Sequence, residues 1–209
     1  MPRLAASLLL VLATAANAST NSTPPVPAGD YKVDKPHTSL LLRVNHMGFS
    51  TFTARFTGVD VALKFDPNRP TASSVKVNID PNSIETDNAP GGFLDIIRGE
   101  QLLDTAKYPQ LTFRSKSVEQ AGANKLRVHG ELTLHGVTRP VVLEARYNGG
   151  YAGQPMDPHA RVGFSATATF KRSDFGMGFG VPAPGTTMGV GDEIDVVIES
   201  ELSGPALAK

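Results

Sequence analysis

The 209-residue chain contains no cysteine. That absence excludes disulfides, thiolate zinc sites, a thiol nucleophile and the lipid-modified cysteine of a bacterial lipoprotein. A fold of this kind must be held by its core, and the chain is long enough to bury one. Charge of one sign is lacking too: 20 Lys and Arg stand against 20 Asp and Glu, which gives no electrostatic footprint for nucleic acid. Beyond residue 18 no apolar run reaches the length of a membrane-spanning helix. Catalytic fingerprints are missing as well. Gly48-Phe49-Ser50-Thr51-Phe52 lacks the second glycine of a nucleophile elbow. There is no His-Glu-x-x-His, no phosphate-cradling glycine loop and no dinucleotide fingerprint. The five histidines share no metal-ligand spacing. The expectation is a protein that is not an enzyme, with no catalytic and no metal residues; catalysis would need groups that meet only in three dimensions.

What is present begins with a leader. Arg3 supplies a positive start, Leu4 to Val11 an apolar stretch too short to span a bilayer, and Ala16-Asn17-Ala18 a small-residue cleavage pattern. Residues 1–18 therefore read as a signal peptide, and cleavage would leave a soluble, exported chain with one more acid than base. Residues 19–28, rich in Ser, Thr, Asn and Pro, read as a disordered tether. A single domain is expected over residues 29–203, with a short tail at 204–209.

Within that domain the dominant signal has period two. From Lys125 to Thr133, Leu126, Val128, Gly130 and Leu132 fall on one side and charged or polar residues on the other. Side chains alternate across a strand, so this ribbon has one dry and one wet face. The rhythm recurs in strands expected over Asp30 to Asp34 and Thr38 to His46. It continues through Phe52, Ala54 and Phe56, and through Val59, Val61, Leu63 and Phe65. Gly58 marks a change of phase between those two runs. Further strands hold Val75 to Ile79, Leu111 to Ser115, Val142 to Arg146, Val162 to Phe170 and Ile194 to Ile198. One long interruption, Pro81 to Pro109, carries Phe93, Leu94, Ile96, Ile97, Leu102 and Leu103 at roughly helical spacing. It reads as one or two short helices over the sheet or across its end. About eight strands with short links imply an all-β antiparallel meander closed into a barrel.

The dry faces mix large and small apolar residues, and a barrel of about eight strands either fills itself or holds one slim ligand. Both outcomes fit the composition. The candidate ligand-binding residues are Leu40, Leu42 and Val44 on the second run, Phe52 and Phe56 on the third, and Phe113 and Leu132 further on. Phe164, Ala166 and Phe170 complete the strand residues, with His46, Phe49 and Phe175 at strand ends. His46 shares the side of Leu40 to Val44; contact with a ligand's polar end competes with the preferred reading, satisfaction by backbone at a strand end. His135 is expected exposed in a tight turn. Arg172-Ser173-Asp174-Phe175 reads as an ion pair or a helix cap fixing a strand exit, with ligand contact by Phe175 the lesser option. The Gly176 to Gly191 loop interleaves Met and Phe with Gly and Pro, which suits a gate or an ordinary loop over one rim equally.

These residues resemble a known family. His46-Met47-Gly48-Phe49-Ser50 with Phe56, Ala106-Lys107-Tyr108-Pro109 with Leu111-Thr112-Phe113-Arg114-Ser115, and above all Gly130-Glu131-Leu132-Thr133-Leu134-His135-Gly136-Val137-Thr138-Arg139-Pro140 are similar to YceI-like signatures. Arg161-Val162-Gly163-Phe164, Lys171 to Met177 and Val190 to Ile194 follow in the same order. The resemblance implies a lipocalin-like, eight-stranded antiparallel barrel exported to the periplasm, often as a homodimer. It implies a polyisoprenoid, isoprenoid quinone or fatty-acid derivative held inside, and no covalent cofactor. Asn88 to Asp104 departs from the family pattern: its histidine is missing and Gly91-Gly92 replaces charged residues. The alternative is a stress-related structural or interaction protein with a filled barrel. A hydrolase built on Ser50 and His46 is a third option.

Overall fold

Alternation becomes ten strands in the computed structural model, which describes residues 25–207. The leader, most of the tether and the last two residues lie outside the described residues. The strands are β1 (Gly29–His46), β2 (Ser50–Phe56), β3 (Val59–Phe65), β4 (Ser74–Ile79) and β5 (Ile84–Glu85), then β6 (Leu111–Gly122), β7 (Lys125–Leu134), β8 (Val137–Tyr151), β9 (His159–Lys171) and β10 (Val190–Ala206). A single α-helix, α1 (Phe93–Arg98), occupies the long interruption. No helix among the described residues is long and apolar enough to cross a membrane.

The pairings are antiparallel throughout, and β10 pairs with both β9 and β1. The ring β1-β10-β9-β8-β7-β6-β4-β3 therefore closes into an eight-stranded barrel. Closure removes the edges of the ring itself, and the two-residue β5 is left as a short edge. β1 serves two partners on its other side: its first half pairs β3 (Tyr31 opposite Leu63) and its second half β2 (Leu42 opposite Ala54). β2 and β3 thus form one bent stave, broken at Thr57-Gly58, where the Gly58 carbonyl accepts the Asp80 N–H at 2.8 Å. At the β2 end the sheet splits, since β5 pairs β2 and not β6. α1 sits at that split, its Phe93 ring edge-on to Phe52 at 5.7 Å.

Several strands run longer than the sequence reading gave them, and two of the differences bear on the barrel. The runs expected at Asp30 to Asp34 and Thr38 to His46 are one strand, with a register shift between Val33 and Thr38. Pro36 has no N–H to give the ladder, so the chain bulges there and then resumes pairing with β10. The last strand also runs past Ser203 to Ala206, which pairs with His159.

Most of the dry-face residues form one core cluster that fills much of the barrel wall. Gly130 is part of how it fits: a Cβ there would strike the Phe113 ring, so the missing side chain lets that ring approach the β7 backbone. A second cluster closes the end away from α1. Tyr31, Phe65, Ala160, Val162 and Leu202 are almost wholly buried there. The Phe65 ring meets Phe164 at 5.3 Å and Tyr147 at 5.2 Å. Burial, with Tyr147 beside it, pushes the Tyr31 phenol up to about 12, so it stays neutral, and its hydroxyl donates to the Pro27 carbonyl at 2.6 Å.

Outside this plug a charged network ties β1 to β9. Arg161 pairs with Asp34 and donates to Asp157 at 2.9 Å, and the Tyr151 hydroxyl donates to Asp157 at 2.6 Å. His37, then Arg161, hold the Asp34 carboxyl below the usual carboxylate range; Tyr151, then Arg161, do the same for Asp157. Folded pKa values below the unfolded ones mean that this stabilisation is complete above about pH 4 and disappears as pH falls further. A urea midpoint that is level near neutrality and drops below about pH 4 is expected, with Asp34→Asn flattening part of the drop. An unchanged acid limb in that variant would contradict the assignment.

Candidate functional site

The upper half of the barrel is hollow. A cavity of about 710 Å³ lies between the α1 end and the middle of the barrel. It falls in the size range of pockets that take sizeable organic ligands, about 300–1,000 Å³. Its wall is assembled from the inward residues of strand after strand. β1 gives Leu40, Leu42 and Val44; β2 gives Phe52, Ala54 and Phe56; β6 and β7 give Phe113 and Leu132. β8 gives Val141 and Leu143, β9 Ala168 and Phe170, and β10 Ile194, Val196 and Ile198. α1 and the residues after it contribute Phe93, Ile97 and Leu103. Polar lining residues include His46, Ser50, Thr86 and Asp87, with Thr51 and Thr53 on β2 and Arg172 just past the end of β9. The Thr86 hydroxyl is itself engaged, donating to the Thr53 carbonyl at 2.9 Å.

Below lies a second, smaller void of about 110 Å³, lined among others by Val61, Val128, Phe164 and Ala166. Leu40, Val77, Leu143 and Ile198 line both spaces and form the waist between them. The cluster around Tyr31 and Phe65 comes next, its buried side chains packed across the far end.

Nine of the thirteen candidate ligand residues line the main cavity: Leu40, Leu42, Val44, His46, Phe52, Phe56, Phe113, Leu132 and Phe170. Phe164 and Ala166 line only the smaller void, because period-two alternation fixes the face of a residue but not its depth along the barrel. Phe49 points away from the interior and is 81% exposed, at the tip of the β1–β2 connection. Phe175 is buried outside the cavity, packed edge-on against Phe170 at 5.3 Å. It therefore supports a lining ring and does not itself form the lining.

Arg172 does not pair with Asp174. It is buried, and its guanidinium donates to four carbonyls: Gly191 (2.9 Å), Met177 (2.7 Å), Phe179 (2.8 Å) and Val190 (2.8 Å). Those carbonyls belong to both ends of the 176–191 loop, so one side chain staples the loop at its base. Burial lowers the Arg172 pKa while Asp192 opposes the shift; Asp192 in turn accepts from the Ser173 N–H and hydroxyl. The stapled loop brings buried Met177, and Phe179, to the cavity. His135 is half-buried, not exposed: Nδ1 lies 3.1 Å from the Phe175 carbonyl and its ring is 5.0 Å from Tyr108. The loop reading from sequence, a gate or an ordinary rim loop, already held Met177; sequence reasoning missed Ile84 and the four-carbonyl role of Arg172. The apolar run at 93–103 was the signal for the helix-borne part of the wall.

A YceI-like domain model matches residues 31–202, nearly the whole barrel. The chain belongs to the YceI-like family. Protein YceI of Escherichia coli O157:H7 is 37% identical over 179 residues, covering 83% of this chain and 86% of that protein. Among solved structures, BcnA of Burkholderia cenocepacia superposes with a TM-score of 0.69 at 25% identity, covering 81% of this chain and 98% of that one. A polyisoprenoid binding domain from Saccharophagus degradans implicated in plant cell wall breakdown superposes with a TM-score of 0.60 at 17% identity, covering 84% and 98%. At that identity the last likeness speaks for the shared fold.

Proposed function

We propose that this YceI-like protein binds a long apolar lipid, a polyisoprenoid, an isoprenoid quinone or a fatty-acid derivative, and carries it in the periplasm. The observation that carries the reading is the 710 Å³ apolar cavity beside α1, with the aromatic cluster packed across the barrel's other end. The tail enters first and packs along Leu42, Phe113 and Val196, while the head stays beside His46 and Asp87. Each buried methylene contributes about 0.8 kcal/mol, so ten give about 8 kcal/mol. That corresponds to roughly micromolar retention before ordering costs. The polyisoprenoid binding domain that shares this barrel supports the ligand class. The leader pattern in residues 1–18 supports export. The reading is of sequestration without turnover.

Native mass spectrometry of protein purified from its host, with organic extraction of the same sample, tests it. A co-purifying hydrophobic molecule at about one per chain is expected. Protein that emerges free of lipid and takes up neither an isoprenoid alcohol nor a long-chain fatty acid would sink the reading.

A further inference from the structure

The cavity mouth is rimmed by apolar side chains that point outward. Four of the seven large apolar residues exposed among the described residues stand there: Phe49, Met188, Ile96 and Phe179. Ile96 and Phe179 also line the cavity, so each of these side chains belongs both to the interior wall and to the exposed surface. Phe49 and Met188 line nothing, and ligand contact does not account for their exposure.

Their supports are built, not slack. Met47 and Gly48 both take positive φ, making the tight turn that presents Phe49, and the Gly48 N–H donates to Asn45 Oδ1 at 2.9 Å. The Met47 N–H donates to the Gly189 carbonyl at 2.9 Å, which joins this tip to the loop bearing Met188. The Met188 N–H donates to the Thr186 hydroxyl at 3.0 Å, and Arg172 holds the loop base.

The two joined segments have one further property. Val44 to Ala54 and Gly176 to Gly191 contain no Asp, Glu, Lys or Arg, in a chain that is 19% charged. Charged side chains are costly in a bilayer, whereas a soluble partner's surface imposes no such ban. The rim also has no basic cluster to draw it to anionic headgroups or nucleic acid.

We propose that this rim docks on a lipid bilayer, with Phe49, Met188, Ile96 and Phe179 entering the headgroup–acyl boundary. Apolar insertion and not charge then holds the protein there. The cavity mouth faces the acyl region, and a guest passes between bilayer and barrel without crossing water. This rests on the lipid-binding reading for its purpose, but the surface is tested by itself.

The test is flotation of the whole protein with vesicles of phosphatidylcholine alone, beside the Phe49→Ser/Met188→Ser double variant. Neither residue contributes to the cavity wall, so folding and lipid content by native mass spectrometry are read in the same samples. Wild type is expected to float, and the double variant to lose at least about tenfold in partition with its lipid content unchanged. Anionic lipid and high salt are expected to change partition less than about twofold. Wild type that stays behind, a double variant that floats equally, or binding that demands anionic lipid would each overturn the proposal. So would a wild-type dimer that the double variant splits, since the patch would then serve a second copy. Protein that floats but never holds lipid would refute the carrier reading and leave the docking surface standing.

Discussion

Replacing Ala168 by Phe is expected to empty the protein of lipid while leaving the barrel folded. Ala168 lies on β9 opposite Val196, inward-facing and part of the cavity wall. In a filled core an added ring would force off-rotamer neighbours at about 1–3 kcal/mol. Here it projects into about 710 Å³ of free space and competes with the guest instead. A benzyl group displaces about four to six methylenes, a loss of about 3–5 kcal/mol in binding. Retention should fall by more than about a hundredfold. Val142→Phe is the control: it puts the same ring on the outer wall, where the side chain is partly exposed. Native mass spectra of the two proteins purified in parallel decide the matter. Lipid retained by the Ala168 variant, or lost equally from the Val142 variant, would place the guest somewhere other than this cavity.

Arg172→Met is expected to be the most destabilising single change near the mouth. The guanidinium meets four carbonyls at 2.7–2.9 Å, in a buried setting. Hydrogen bonds involving a charged group contribute about 1.5–3 kcal/mol each, and their removal leaves buried acceptors without partners. A net loss of about 3–5 kcal/mol is reasonable once the loop relaxes, or roughly 10 °C in Tm for a domain of this size. Lysine should not rescue it, because a point charge cannot reach the four acceptors that a planar fork spans. Limited proteolysis supplies a local readout: cleavage should concentrate at 178–189 in the variant. A variant that melts with wild type and resists the protease equally would show that the loop is held by something else.

The barrel was legible because its physics is local. Each strand has one dry and one wet face, and alternation reports that from sequence with no knowledge of partners. Depth was not legible. Phe164 and Phe170 sit on the same face of β9, yet one joins the smaller void and the other the main cavity. Their difference depends on strand tilt and stagger around the closed ring. Phe49 and Phe52 are both candidates from sequence, but the Met47-Gly48 turn separates a solvent-facing tip from an inward-facing strand. The role of Arg172 was hidden for another reason. Its partners are backbone carbonyls, which every residue has, on a loop that returns almost twenty positions later. No side-chain pattern announces such a contact. Pro36 misled in the opposite direction, since a proline that ends one ladder bond does not end a strand paired again beyond it.

The aromatic cluster around Tyr31, Phe65 and Phe164 stands across the barrel end away from α1, so on the proposed lipid-binding reading a guest enters and leaves at the α1 end. A tail that has entered cannot reverse inside, so its direction is set at the threshold and preserved until departure. Newcomers cannot push an occupant out of the back; they must wait for the seat to clear. Exchange between donor and acceptor should therefore run at the pace of exit, indifferent to how many replacements are queued outside.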